Sequence, residues 1–297
     1  MPSTLRLLHP EWQGYGLGAG VHRGATALAS ALAAEGAFLT PAHSAFLTID
    51  APEHETLQVV DGVLGLDSIA ARLDRTMAEL RRLAPDRILM IGGTCGVEVG
   101  PVAYLNERYA GDLAVFWLDA HADLNTPASS PSGHFHGMPL RTLLGEGPAA
   151  CTRHVARPLG VDQVFLVGVR EFDPPEADFV RRHGIPVLDD DVFRDPSRLI
   201  ALARARGFRR AYVHFDVDVL NPEGFPSALM HAPGGGPPLA QAVSAIGALT
   251  GAFDAVGLSV LEYCERDPAW TATLARALAP LVDSCLAGSR GDAETRA

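Results

Sequence analysis

The sequence predicts an α/β fold, a three-layer α/β/α arrangement with a mostly parallel sheet, and two observations carry that reading. Apolar runs of strand length are continuous rather than alternating, as expected of strands covered on both faces. Segments of helical periodicity separate them, so strand and helix alternate along the chain.

In order, the clearest strand-like runs are residues 87–91 (RILMI), 113–118 (LAVFWL), 164–169 (VFLVGV), 211–215 (AYVHF) and 255–261 (AVGLSVL). Helices are expected over residues 26–36, 67–83, 99–110, 175–183, 196–206, 239–249 and 268–286. The segment 221–238 holds several prolines and the run Gly234, Gly235, Gly236, and it falls between a strand and a helix. It is read as a long loop rather than a boundary. No repeat, low-complexity tract or linker divides residues 1–297, so one domain is expected, with a polar, fraying end over 288–297.

Composition excludes several classes. The chain is 47% apolar and 20% charged, an ordinary globular balance. It carries 24 Lys and Arg against 35 Asp and Glu, a formal charge of −11 that disfavours nucleic acid or an anionic membrane as partner. Clustered carboxylates suit cations instead. Cys95, Cys151, Cys264 and Cys285 lack CxxC spacing, which fits a reducing, cytoplasmic setting. The opening MPSTLRLLHPEWQGYG has no basic stretch followed by an apolar run, so no secretory leader is expected. No apolar segment approaches the roughly 20 residues of a membrane span.

Ligands of open α/β sheets bind at the carboxyl ends of the strands. After LAVFWL come Asp119, His121, Asp123 and Asn125; after AYVHF come Asp216 and Asp218. Residues i and i+2 of an extended chain share a face, so each set can converge on one point. Single aspartates at such places often cap the next helix. Four carboxylates crowded together repel one another unless cations neutralise them, and a metal pair resolves the conflict. Asp119 and Asp216 are the natural bridging carboxylates, with His121 and Asp218 completing one metal and Asp123 part of the other. Carboxylates with one imidazole suit Mn²⁺ or Mg²⁺ more than a structural zinc, and a metal pair of this kind activates water for hydrolysis.

At these residues the chain resembles the arginase, agmatinase and formimidoylglutamase family of ureohydrolases. DAHADLN and FDVDVLNP are similar to its two carboxylate signatures, and SGHFHGMPL to its active-site loop. The resemblance covers most of the chain. It implies a three-layer α/β/α fold, a centre of two Mn²⁺ ions, and attack of a metal-bound hydroxide on a guanidinium or formimino carbon. Asp119, His121, Asp123, Asp216 and Asp218 match the family's metal ligands, with Asp123 also counted at the reacting centre. The sixth position departs: the family has GGDH, whereas this chain has Gly92, Gly93, Thr94 and Cys95. A thiolate from Cys95 can ligate and shifts preference towards Zn²⁺ or Fe²⁺; the alternative is a small buried residue left by a lost ligand.

The resemblance also implies roles around the metals. His136 matches the loop histidine that shuttles a proton to the leaving amine. Glu262 matches the carboxylate that pairs with the guanidinium. Asn125, Ser130 and Ser132 match contacts to an α-carboxylate, Asp173 and Glu176 lie in a segment (REFDPPE) like that receiving the α-amino group, and His134 is placed facing substrate. Together these favour L-arginine or Nω-hydroxy-L-arginine, giving ornithine plus urea or hydroxyurea, over agmatine. The loop Ala228, Leu229, Met230, His231 replaces a Thr-Gly-Thr-Pro stretch of arginases, and with Cys95 it is similar to the branch that hydrolyses hydroxyarginine. Agmatinase, guanidino acid hydrolase, formimidoylglutamase, a one-zinc deacetylase relative and a degenerate, non-catalytic member remain the alternatives. Family members often self-associate, so a homo-oligomer is implied, although no long apolar surface helix demands it.

Overall fold

The computed structural model describes residues 3–38, 44–230, 232 and 234–287. In chain order the elements are β1 (Thr4–His9), α1 (Gly20–Ala34), β2 (Ser44–Thr48), β3 (Val59–Val60), β4 (Val63–Leu64), α2 (Leu66–Leu83), β5 (Arg87–Gly92), α3 (Val99–Arg108), β6 (Ala114–Leu118), α4 (Pro139–Leu143), α5 (Ala149–Thr152), β7 (Val164–Val167), α6 (Pro174–His183), β8 (Val187–Leu188), α7 (Ser197–Ala205), β9 (Arg210–Asp216), α8 (Leu239–Ala252), β10 (Asp254–Leu261) and α9 (Pro268–Ala287). His231, the side chain of Cys285 and the polar end 288–297 lie outside the described residues.

Among the described residues, one eight-stranded sheet runs in the order β2-β1-β5-β10-β9-β6-β7-β8, with every pairing parallel. β3 and β4 form a separate antiparallel hairpin. The continuous apolar runs are the central strands, and alternate side chains enter two different cores. Leu89, Ile91, Phe116, Leu118, Val213 and Phe215 pack with residues of α1, α7, α8 and α9. Ile88, Met90, Val115, Trp117 and Tyr212 pack with α2, α3, α4 and α6 on the other face. A period of two along each strand thus builds the three expected layers.

The structure adds β1, β2 and β8, which the sequence reading did not pick out. β1 (TLRLLH) carries Thr4, Arg6 and His9, all buried, which breaks its apolar run. β2 stands at the sheet edge with Phe46 exposed, and β8 is two residues long. α1 begins at Gly20, ahead of the expected residue 26; its first turn, GVHR, has no capping side chain to mark it. Among the described residues, no helix is long and apolar enough to cross a membrane.

The order of the strands positions the site. β5, β10, β9 and β6 are consecutive neighbours, all parallel, so their carboxyl ends lie side by side along one edge. Cys95, Glu262 and Asp119 follow the ends of β5, β10 and β6, and Asp216 is the last residue of β9.

Candidate active site

Each strand end turns sharply and fixes its chemistry by hydrogen bonds from the backbone. After β6, Asp119 Oδ1 accepts the His121 amide (2.6 Å), and after β9, Asp216 Oδ1 accepts the Asp218 amide (2.7 Å). Asp218 Oδ1 accepts the Ala120 amide (3.1 Å), which ties the two turns together. After β5, Gly93 permits the chain to pass the 9–11 segment: a Cβ there would lie 1.8 Å from the Glu11 carbonyl oxygen. Thr94 Oγ1 then donates to Glu11 Oε2 (2.6 Å), and the Cys95 amide donates to Glu262 Oε1 (2.8 Å). Asp123 and Glu262 sit at φ of 54° and 59°, left-handed backbone that costs a non-glycine residue about 1–2 kcal/mol.

These turns bring the predicted ligands together. Asp119, His121 and Asp218 form one group, with His121 Nδ1 2.9 Å from Asp218 Oδ2 and 3.5 Å from Asp119 Oδ1. Cys95, Asp216 and Glu262 form a second, with Cys95 Sγ 3.1 Å from Asp216 Oδ2. Cys95, Asp119 and Asp123 form a third with His214, which lies within the apolar run AYVHF rather than after it. In every group the donor atoms lie within 4.8 Å of one another.

The electrostatics explain why this arrangement fits cations. Burial, reinforced by the neighbouring carboxylates, pushes the Cys95 thiol well above its ordinary value and does the same to Asp123 and Asp216. Burial and Asp119 raise Asp218 to about 6. Burial opposes charge on His121 too, but hydrogen bonds to Asp119 and Asp218 outweigh it and raise its pKa. Burial likewise works against the charge of Asp119, and bonds from His121 and His214 hold it low instead. Among the described residues, one Asp123 oxygen and one Glu262 oxygen are buried without a hydrogen-bond partner. Buried lone pairs of that kind are costly unless something positive meets them, so the residues fit divalent cations by donor type as well as by spacing.

The groups open on a cavity of about 130 Å³. Its wall includes Cys95, Asp123, Asp216 and Glu262 at one end and Asn125, Ser130, Ser132 and Asp173 among the loop residues. Asn125 Nδ2 donates to Asp173 Oδ2 (2.7 Å), and Ser130 and Ser132 hydroxyls lie 3.4 Å apart. His136 lines the cavity with Nδ1 3.5 Å from Glu262 Oε1. Its ring, like that of His134, stands edge-on to Tyr15, at 5.3 and 5.6 Å between centroids. His134 itself is not part of the cavity wall. Glu176 reaches the wall, yet its carboxylate is occupied by the Leu124 amide (2.8 Å) and the Asp173 amide (2.9 Å). It joins the loop after β6 to the start of α6, where Pro174 occupies the first turn.

A family model described as "Arginase family" matches residues 16–286. The chain belongs to the arginase family. The Staphylococcus aureus (strain COL) arginase is 34% identical over 143 residues, 45% of this chain and 46% of that protein. The Bacillus caldovelox arginase is 40% identical over 101 residues, 33% of each. The matches therefore span about half or less of these curated arginases. Among solved structures, the Entamoeba histolytica arginase in complex with L-ornithine is similar in fold, with a TM-score of 0.81, 21% identity, and coverage of 96% of this chain and 99% of that one. The proclavaminate amidino hydrolase of Streptomyces clavuligerus has a TM-score of 0.70 at 21% identity, covering 96% and 92%. The three-layer fold predicted from the sequence is thus shared with arginase-family structures.

Two residues beside the candidate ligands carry no signal of their own in the sequence. His214 is fully buried and lies flat on Trp117, ring centroids 3.5 Å apart at 6°. Glu98, three residues after Cys95 in the turn Cys95–Glu98, is also fully buried. A period-two reading carried back from Asp218 through Asp216 reaches His214, so the signal was present but hidden in an apolar run.

Proposed function

We propose that this arginase-family chain is a metal-dependent amidinohydrolase that cleaves the bond between the guanidino carbon and the side-chain nitrogen of an arginine-like amino acid, L-arginine or Nω-hydroxy-L-arginine. One observation carries the reading: a single cavity joins the crowded ligand groups and Glu262 to the paired Asn125 and Asp173. The first end suits a guanidinium, the second an amino acid's charged head.

Asp119, His121, Asp123, Asp216, Asp218 and Cys95 would hold two divalent cations, manganese by family likeness, with zinc or iron favoured where the thiol of Cys95 takes part. Bound there, such ions would neutralise the crowded carboxylates and, as Lewis acids towards water, supply the nucleophile that adds to the guanidino carbon. Glu262 presents its unpartnered Oε2 to the guanidinium while Oε1 stays on the Cys95 amide. His136, beside Glu262, is placed to hand a proton to the departing amine nitrogen. Asp173 and Asn125 orient the α-amino and α-carboxylate groups. Hydrolysis adds one water across the bond, leaving the amine on the amino acid and urea, or hydroxyurea, as the other product. Met230 also borders the cavity, and the Leu229 amide is bonded to the Glu262 carbonyl (2.8 Å), which supports a reshaped wall near the guanidinium. That wall favours the N-hydroxylated substrate as the second reading. Buried free thiols at Cys95, Cys151 and Cys264 support a reducing, cytoplasmic setting.

The test is product analysis of metal-loaded protein with arginine, Nω-hydroxyarginine, agmatine and 4-guanidinobutyrate. Urea or hydroxyurea from the two amino acids, above that from the other two, is expected. Preference for agmatine or guanidinobutyrate would move the assignment within the family, and no product from any of the four would overturn it.

A further inference from the structure

We propose that His214 is a metal ligand, an imidazole supplied from within β9 that completes a buried cation subsite with Cys95, Asp119 and Asp123 and is oriented by Glu98. The inference rests on the metal-dependent reading above and adds to it a residue outside the strand-end set.

The placement follows from the sheet. His214, Asp216 and Asp218 succeed one another at i, i+2 and i+4, so the histidine points to the same side as the two aspartates, one step deeper. Trp117 on neighbouring β6 pairs with His214 in register and fixes its ring by stacking. Nε2 then faces Asp119 Oδ2 at 3.4 Å and Cys95 Sγ at 3.8 Å. Nδ1 faces the other way, 3.6 Å from Glu98 Oε1.

Those distances discriminate between two accounts of a buried histidine between acids. An imidazolium salt-bridged to Asp119 and Glu98 would draw both carboxylates to about 2.7–2.9 Å. Neither is that close, and His214 Nδ1 and both Glu98 oxygens have no hydrogen-bond partner among the described residues. Around a four-coordinate ion, with metal–sulfur bonds of about 2.3 Å and metal–nitrogen or metal–oxygen bonds of about 2.0–2.1 Å, sulfur and nitrogen stand roughly 3.6 Å apart and nitrogen and oxygen roughly 3.4 Å. The spacing of Cys95 Sγ, His214 Nε2 and Asp119 Oδ2 is that of donors across an ion. Asp123, with a buried oxygen that has no partner among the described residues, closes the set. Glu98 Oε1, 3.6 Å from Nδ1, makes no bond to it here, but it is near enough to accept the second N–H once the ring is drawn onto an ion, as a carboxylate commonly does for a ligating histidine.

The consequence is a centre whose two halves differ in softness. Asp119, His121 and Asp218 offer oxygen and nitrogen, whereas Cys95, His214, Asp119 and Asp123 offer sulfur, nitrogen and two oxygens. Thiolate with imidazole selects zinc, iron or cobalt over manganese and magnesium. Loss of an imidazole at position 95 is therefore compensated from position 214, and the thiol is retained as a working ligand.

The experiment measures zinc per chain and zinc affinity, by elemental analysis and chelator competition, on the full chain and on His214→Gln and Glu98→Gln. His214→Gln is expected to lose one zinc equivalent or to bind it at least 100-fold more weakly, and Glu98→Gln to weaken it about 10–100-fold. Unchanged zinc count and affinity in His214→Gln would overturn the proposal. Should that variant not fold, X-ray absorption at the zinc edge of the parent loaded with one equivalent decides. Sulfur and imidazole in one shell support the proposal, and a shell lacking either overturns it. Because neither readout uses catalysis, zinc bound through His214 in a protein inert to every guanidine would sink only the proposed activity.

Discussion

Cys95 and Glu262 hold each other in place: the Cys95 amide donates to Glu262 Oε1 over 2.8 Å, and the Glu262 amide in turn donates to the Gly93 carbonyl over 2.8 Å. The turn that carries the thiol also aims the carboxylate proposed to meet the guanidinium. Glu262→Gln keeps the side-chain shape and loses the charge. A hydrogen bond involving a charged group is worth about 1.5–3 kcal/mol, so kcat/KM should fall roughly 10–150-fold. Steady-state kinetics with metal content measured in parallel checks this; full activity would remove Glu262 from guanidinium binding.

At the other end of the cavity, Asn125 Nδ2 donates to Asp173 Oδ2 over 2.7 Å. Asp173→Ala removes the charge that faces an α-ammonium. KM for the amino acid substrate should rise about 10–100-fold, the same charged bond being lost, while any slow turnover of agmatine stays unchanged. Equal losses for both substrates would show that Asp173 acts only as the cap of α6.

Gly93→Ala places a methyl 1.8 Å from the Glu11 carbonyl oxygen, which is backbone and cannot swing aside. The turn bearing Thr94 and Cys95 must move. The expected result is a folded protein with at least tenfold weaker metal binding, read by circular dichroism and chelator competition; parental affinity would show that the close approach is not needed.

His9, at the end of β1, is buried and its pKa is depressed to about 3 by burial and by Arg72 and Arg75. Its native form is neutral, whereas the unfolded chain takes up a proton below about 6.5. Stability from this group is complete above pH 6.5 and declines as pH falls towards 3, at up to about 1.4 kcal/mol per pH unit. Urea midpoints between pH 7 and pH 5 should drop less in His9→Gln than in the parent. Parallel curves would remove His9 as a source of acid sensitivity.

How much of this was legible in the sequence depended on whether chemistry lay at the end of an apolar run. The ends of β6 and β9 announced Asp119, His121, Asp123, Asp216 and Asp218, because i, i+2 spacing after a buried strand maps directly onto one face. Cys95 was read as a departure at the matching place after β5, and the structure sets its sulfur 3.1 Å from Asp216. His214 was not legible, since a histidine inside AYVHF reads as strand filler until the facing Trp117 and Asp119 are known. Glu176 carried a double signal: the segment DPPE is a helix start by its own chemistry, and the structure spends both carboxylate oxygens on backbone amides. The outer strands β1 and β8 were hidden for a different reason, one interrupted by buried polar side chains and the other too short to show a period.

Trp117 gives the centre an optical gauge of its own. The indole lies flat against His214 at 3.5 Å and directs its N–H to Asp119 Oδ2 at 3.2 Å, so it touches both the ring and the carboxylate proposed here to hold a cation. Trp12 packs with Ala19, Val21 and Cys264 and Trp270 against Phe225, so the change in Trp117 fluorescence becomes a titratable signal of filling, readable in a cuvette without any substrate.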